Sequence, residues 1–232
     1  MNRTRMQQGW FVTTGAMVLL LCMSMMGCNG CKNPDVFDGA ASQLAITCVV
    51  LDDAEVPGDG KVPVVLQAVY NGSVVQLGST MQVSCNGVPL PWNGLFSGHA
   101  ERVPIQPVGG TYMFTVVHAA VTSTASVTVP ARPVFAAPTV AGTTLARTTN
   151  FAIHYIPGGG TAVRGNASDG TNSQNNSQAD TGVHAGLDVS GFHSGAGILS
   201  ITRTLEWMLS GTGFQSAKVK YDTNKTIAIT WL

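Results

Sequence analysis

The chain has 232 residues, enough for one large domain or two small ones. Only 10% of them are charged and the formal net charge is zero, so there is neither a basic stripe for nucleic acid nor an acidic tail. Low charge combined with 27 glycines suits short strands and tight turns and excludes long solvated helices, whose outer face needs Glu, Lys and Arg.

Residues 1–9, MNRTRMQQG, are polar and carry Arg3 and Arg5, and residues 10–26 are apolar. A basic start, an apolar run and a small residue, Gly27, make an export signal over 1–27. Met25-Met26-Gly27-Cys28 resembles the lipobox of bacterial lipoproteins, although that family prefers Leu at the first of these positions and a small residue at the second. The resemblance implies cleavage before Cys28 and diacylation of Cys28, which tethers the chain to a membrane. Asn29, where Asp is absent, leans the anchor toward an outer membrane. An uncleaved transmembrane anchor and ordinary signal cleavage are the alternatives, and all three place the later residues outside the cytoplasm. Losing Arg3 and Arg5 from twelve basic residues leaves ten against twelve acidic ones, a net of −2.

Residues 28–42 read as a tether. Leu44, Ile46 and Cys48 then alternate with smaller neighbours, and 52–61 (DDAEVPGDGK) is turn chemistry. Val62 to Tyr70 is strand-like and is followed by the hairpin signal Asn71-Gly72. Met81 to Cys85 precedes a second such signal, Asn86-Gly87, and 89–99 form a Pro/Gly loop holding Trp92 and Phe96. Gly109-Gly110-Thr111-Tyr112 opens TYMFTVVH, and SVTVP closes the unit at Pro130. The run 109–116 resembles the penultimate strand of immunoglobulin-like and fibronectin III-like domains. The resemblance covers 43–130 and implies a β-sandwich in which the Tyr112 hydroxyl bonds to backbone.

Residues 131–137 read as a hinge and 138–232 as a second β-sandwich, so the fold class is all-β with two immunoglobulin-like domains. Phe151, Ile153 and Tyr155 share one face of a strand. Residues 157–182 are a polar stretch that must be a loop or a ragged hairpin. LSITRTLEWML favours strand over helix because of its Ile and Thr content, and Asp222-Thr223-Asn224-Lys225 looks like the turn of a final hairpin. The two cores are expected to shield Val64, Leu66, Phe114, Val116, Ile153, Ile201, Val219 and Ile229.

Cys22 leaves with the signal and Cys31 lies in the tether. Cys48 and Cys85, both in strand-like runs of an exported chain, are candidates for a disulfide. That bond would close a loop of 37 residues and contribute roughly 3–4 kcal/mol. Two separate buried thiols are the other reading.

The chemistry of catalysis is sparse. Gly191-Phe192-His193-Ser194-Gly195 has His where a nucleophile elbow needs Ser. His184, Asp188, Ser190 and Ser194 lie close together, but one local strand segment turns alternate residues to opposite sides. Gly211-Thr212-Gly213-Phe214 lacks the third glycine of a dinucleotide loop. Five scattered histidines include no His-x-x-x-His pair, which argues against zinc. Asp52, Asp53, Glu55 and Asp59, or Asp169 with Asp180, leave a calcium reading beside the simpler one of solvated acidic turns. The sequence therefore indicates no enzyme, cofactor or metal.

Ligand binding is better supported than catalysis. Trp92, Phe96 and Trp207 offer stacking faces and Arg164 a polar contact within the 157–182 stretch, as in sugar-binding modules. The competing reading makes Trp207 and Trp231 core residues. The expected function is a membrane-anchored structural or protein-interaction module of the cell envelope. A carbohydrate- or ligand-binding surface lipoprotein is the alternative. The partners are then the membrane, through the lipid, and a protein or glycan at the cell surface.

Overall fold

The computed structural model describes residues 34–52, 59–209 and 213–232; Cys28, Cys31, Asp53 and Glu55 lie outside them. In chain order the strands are β1 (Val36–Phe37), β2 (Ala45–Asp52), β3 (Lys61–Tyr70), β4 (Ser73–Leu77), β5 (Gln82–Cys85) and β6 (Val88–Pro89). Next come β7 (Trp92–Asn93), β8 (Gly98–Pro104), β9 (Thr111–His118), β10 (Val121–Thr128), β11 (Phe135–Ala137) and β12 (Thr143–Leu145). Last are β13 (Phe151–Tyr155), β14 (Ala162–Ser168), β15 (Ser173–Gln178), β16 (Val183–Leu187), β17 (Gly195–Leu209) and β18 (Ser216–Trp231). A single 3-10 turn, Ala41–Gln43, is the one helical piece among the described residues.

The first sandwich sets β2-β3-β8-β7 against β10-β9-β5-β6. Counted along the chain, β2, β3, β5, β7, β8, β9 and β10 take the places of strands A to G. A, B, E and D share one sheet and C, F and G the other, which is the constant-type immunoglobulin order. Tyr112, at the start of the F position, accepts a hydrogen bond from Gln106 N at 3.0 Å, the corner implied by the resemblance. The hairpin signals act as expected: Asn71-Gly72 and Asn86-Gly87 both take positive φ between paired strands. Leu44, Val64, Leu66, Phe114 and Val116 fill this core.

The second sandwich sets β11-β13-β16 against β12-β18-β17-β14-β15. Ile153, Val163, Leu187, Leu199, Ile201 and Trp231 are buried between them. Trp231 takes Phe151 and Phe192 edge-on, with centroids 5.4 and 5.5 Å away, and so belongs to the core. All the residues expected to be shielded are buried, Val219 and Ile229 included.

The two sandwiches share a hairpin. β17 and β18 pair from Gly195↔Trp231 to Leu209↔Ala217. The start of β18 runs parallel to β2, from Ser216↔Ala45 to Thr223↔Asp52, and its end runs parallel to β12. Ala217, Val219 and Tyr221 therefore complete the first core, although the sequence groups them with 138–232. Asp222-Thr223-Asn224-Lys225, expected as a turn, lies in mid-strand instead. The reason is lateral pairing at the seam between the cores. Thr204 Oγ1 donates to Asp222 Oδ1 at 2.6 Å, and Lys220 Nζ lies 3.7 Å from Asp222 Oδ2. Polarity here marks the gap between two apolar stretches of one strand.

Candidate functional site

The polar stretch 157–182 is a hairpin. β14 and β15 pair from Val163↔Gln178 to Ser168↔Ser173. Its tip is locked by Asp169, which accepts from Thr171 N (2.7 Å), Asn172 Nδ2 (2.9 Å) and His193 N (2.7 Å), with His193 Nδ1 at 2.9 Å. Burial would raise this carboxyl, but the Asn172 and His193 amides outweigh it and hold it far below the usual range. Beside the tip opens a cleft of about 230 Å³ lined by Asn172, Gln174, Asp188, Ser190, Gly191 and Phe192. Ser190 donates to Asp188 Oδ1 through its hydroxyl (2.7 Å) and its N–H (3.1 Å), and the two together lower the Asp188 carboxyl. Amides, a hydroxyl and an ionised carboxylate on one rim suit a ligand rich in hydroxyl groups.

The outer face of the long sheet is a separate polar surface, since Gln174 pairs with inward-turned Ala167. Register places Ser177, Arg164, Thr202 and Asn224 in one row and Asn175, Asn166, Ser200 and Thr226 in the next. None of these is fully buried. The inward-turned side chains of β15 close the sandwich edge instead. Gln178 Nε2 donates to Ala185 O and Ala185 N donates back to Gln178 Oε1 at 3.3 Å.

The other sequence candidates do not join the cleft. Trp92 is half-buried and edge-on to His99, with centroids 5.5 Å apart, while Phe96 is half-buried on the following turn. Trp207 packs against the first core, and Arg164 stands in the polar row of the second sandwich. His184 is buried and its Nε2 accepts from Gly165 N at 3.1 Å, which leaves Ser190 and Ser194 without a histidine partner from that side. Asp52 and Asp59 are engaged by Arg132 and Arg102, and Asp180 by Arg203. Among the described residues no group of three or more His, Cys, Asp or Glu is placed to hold a metal ion. Cys48 and Cys85 are free, fully buried thiols in opposing sheets of the first core.

Two charged networks escaped the sequence reading. Asp52, with 0% of its side chain exposed, accepts from Tyr221 OH at 2.7 Å and from Arg132 Nε at 3.0 Å, which ties the hinge to the seam. In the second sandwich Asp180 Oδ2 accepts from Arg203 Nε (3.0 Å), Gly158 N (3.0 Å) and Gly160 N (2.7 Å). Both of those side chains are 2% exposed. The signal was present for Arg203, since it continues the inward alternation of Leu199 and Ile201.

No protein-family model matches the chain, and no curated protein does. Among solved structures, it is similar to tandem immunoglobulin domains of titin at 11% identity, over 84% of this chain and 96% of that one, with a TM-score of 0.24. It is similar to domains 4 and 5 of the S-layer protein SbsC at 19% identity, over 75% and 84% of the two chains, with a TM-score of 0.23. It is also similar to the BSP domain of a biofilm associated protein at 10% identity, over 83% and 28%, with a TM-score of 0.23. At these scores the likenesses carry no functional argument.

Proposed function

We propose that the chain is a lipid-anchored module of the cell envelope, held through diacylated Cys28 and serving as a structural or protein-interaction element outside the cytoplasm. The observation that supports this best is the shared hairpin. Two sandwiches joined by one continuous pair of strands resist bending about 131–137 far more than two joined by a linker. Such a body suits holding a surface at a fixed distance from its anchor. In that oxidising location Cys48 and Cys85 close a disulfide across the first core. Mass spectrometry of the mature protein tests the anchor: acylated Cys28 at the N-terminus is expected, and an intact Met1 or an unlipidated new terminus refutes it.

A second reading, a surface lipoprotein that binds glycans, rests on the cleft between Asn172, Gln174, Asp188 and Ser190. Trp92, Phe96, Arg164 and Trp207 would contribute only at separate points. Screening the full chain on a glycan array decides it. A signal lost in Asp188→Ala and Gln174→Ala supports this reading, and a blank array removes it.

A further inference from the structure

The sheets end in strand edges that are not protected alike. β1, β6, β7, β11 and β12 are two or three residues long. β8 carries Glu101 and Arg102 and ends on Pro104. β15 and β16 are laced together by Gln178. Among the described residues β10 has none of these devices; Gly213 touches it on the inward side, where its carbonyl accepts from the Ser123 hydroxyl at 3.2 Å. It pairs without a bulge to β9 from Val121↔His118 to Thr128↔Thr111, and residues 119–131 hold no charged side chain.

The side from which β10 is open follows from Val129. Its N–H donates to Gly110 O at 2.8 Å, and its carbonyl accepts from Gly109 N at 3.0 Å. In an antiparallel ladder alternate residues turn both backbone groups the same way. Val121, Ser123, Ala125 and Val127 therefore bond to β9, and Thr122, Thr124, Ser126 and Thr128 turn their N–H and C=O groups to the open edge. A long, regular, uncharged edge is a template for another strand.

We propose that this edge joins two copies of the chain, antiparallel about a two-fold axis, into one sheet that spans both. A second copy is favoured over an unlike partner by the strand's own composition. In a symmetric pair any charge on β10 would enter the seam twice, within a few residues of its own copy, and β10 carries none. Pairing centred on Ala125 sets Thr122 opposite Thr128 and Thr124 opposite Ser126 in both directions. Every open backbone group then finds a partner, and the facing side chains are hydroxyl-bearing.

Sedimentation of the full chain in detergent, combined with amide hydrogen exchange, tests this. A dimer is expected for the native chain. Its loss is expected in Thr122→Lys/Ser126→Lys, while Gln82→Lys, exposed on β5 two strands in from the edge, keeps it. In the native chain the amides of Thr122, Thr124, Ser126 and Thr128 exchange slowly, and in the double variant they become fast. Those of Ser123, Ala125 and Val127 stay slow in both, which shows that the strand remains folded. A native chain that sediments as a monomer with fast exchange at Thr124 and Ser126 overturns the proposal. So does a dimer indifferent to the two lysines.

Discussion

The hydroxyl of Tyr221 donates to Oδ2 of Asp52 at 2.7 Å, across the line where β18 lies parallel to β2. Arg132 reaches the same oxygen from the hinge at 3.0 Å, so three distant stretches of chain meet on one carboxylate. Burial first, then the Asp52 acceptor, push the Tyr221 phenol far above its usual range and keep it a donor.

Removing the acceptor should cost more than removing one donor. Tyr221→Phe leaves Asp52 with Arg132, and a loss of about 1 kcal/mol is expected. Asp52→Ala leaves Arg132 and Tyr221 facing each other without an anion, and a loss of about 3 kcal/mol is expected. Urea unfolding monitored by tryptophan fluorescence measures both. Equal losses would show that the carboxylate is not the organising group.

Acid should weaken the fold through two histidines. Leu77 N donates to His99 Nε2 at 3.2 Å while His99 Nδ1–H donates to Leu90 O at 3.1 Å, which fixes a neutral ring. Burial lowers His99 below the usual 6.5 and does the same to His184. As pH falls, the unfolded chain takes these protons first. Their contribution is therefore complete above about pH 6.5 and is lost as pH falls through the lower folded values. Melting temperature should decline over that window, and the slope should shrink in His99→Gln/His184→Gln. An unchanged slope in the double variant refutes the assignment. Asp180, held low by Gly160 and Gly158 against its burial, adds a separate loss below about pH 4.

If Cys48 and Cys85 are kept reduced, they should be inert in the folded protein. Burial pushes Cys85 up to about 12 and Cys48 higher still, with the Cys85 charge adding to Cys48. At pH 8 a thiol with pKa about 12 is ionised about one part in ten thousand, and the thiolate is the reactive form. Alkylation should proceed in urea and stall without it. Rapid labelling of the native chain would mean that the first core opens readily.

One turn is strained and can be improved. Ala119 and Ala120 connect β9 to β10 with φ of 48° and 65°, a region where a Cβ is unfavourable. Ala119→Asn/Ala120→Gly, the pair found naturally at 71–72 and 86–87, should stabilise the chain by about 1 kcal/mol. A thermal melt that is lowered would indicate that the alanine methyls make compensating contacts.

The strands themselves were legible because alternation survives wherever one face is buried: Leu44, Ile46 and Cys48 in β2, and Phe151, Ile153 and Tyr155 in β13. The Ala119-Ala120 turn was hidden because neither residue carries a turn signal. Asp222 to Lys225 misled because four polar residues in a row ordinarily mean a turn, whereas here a single strand passes from one core to the next. The cleft at Asn172 and Asp188 could not be read locally, since it depends on a hairpin tip docking against a loop some twenty residues later in the chain.

The parallel seam also has a consequence for the order of assembly. Ala45 to Asp52 form the A strand of the first sandwich, yet their neighbours on one side, Ser216 to Thr223, emerge from a ribosome or an export channel long after them. Until then the first sheet has a bare flank, and its core lacks Ala217, Val219 and Tyr221. Contacts of such long sequence separation form slowly, and exposed strand edges are prone to wrong pairing while they wait. Completion of the first sandwich is thus tied to delivery of β18. A chain truncated before residue 216 should lose both halves, because neither would have its last strand.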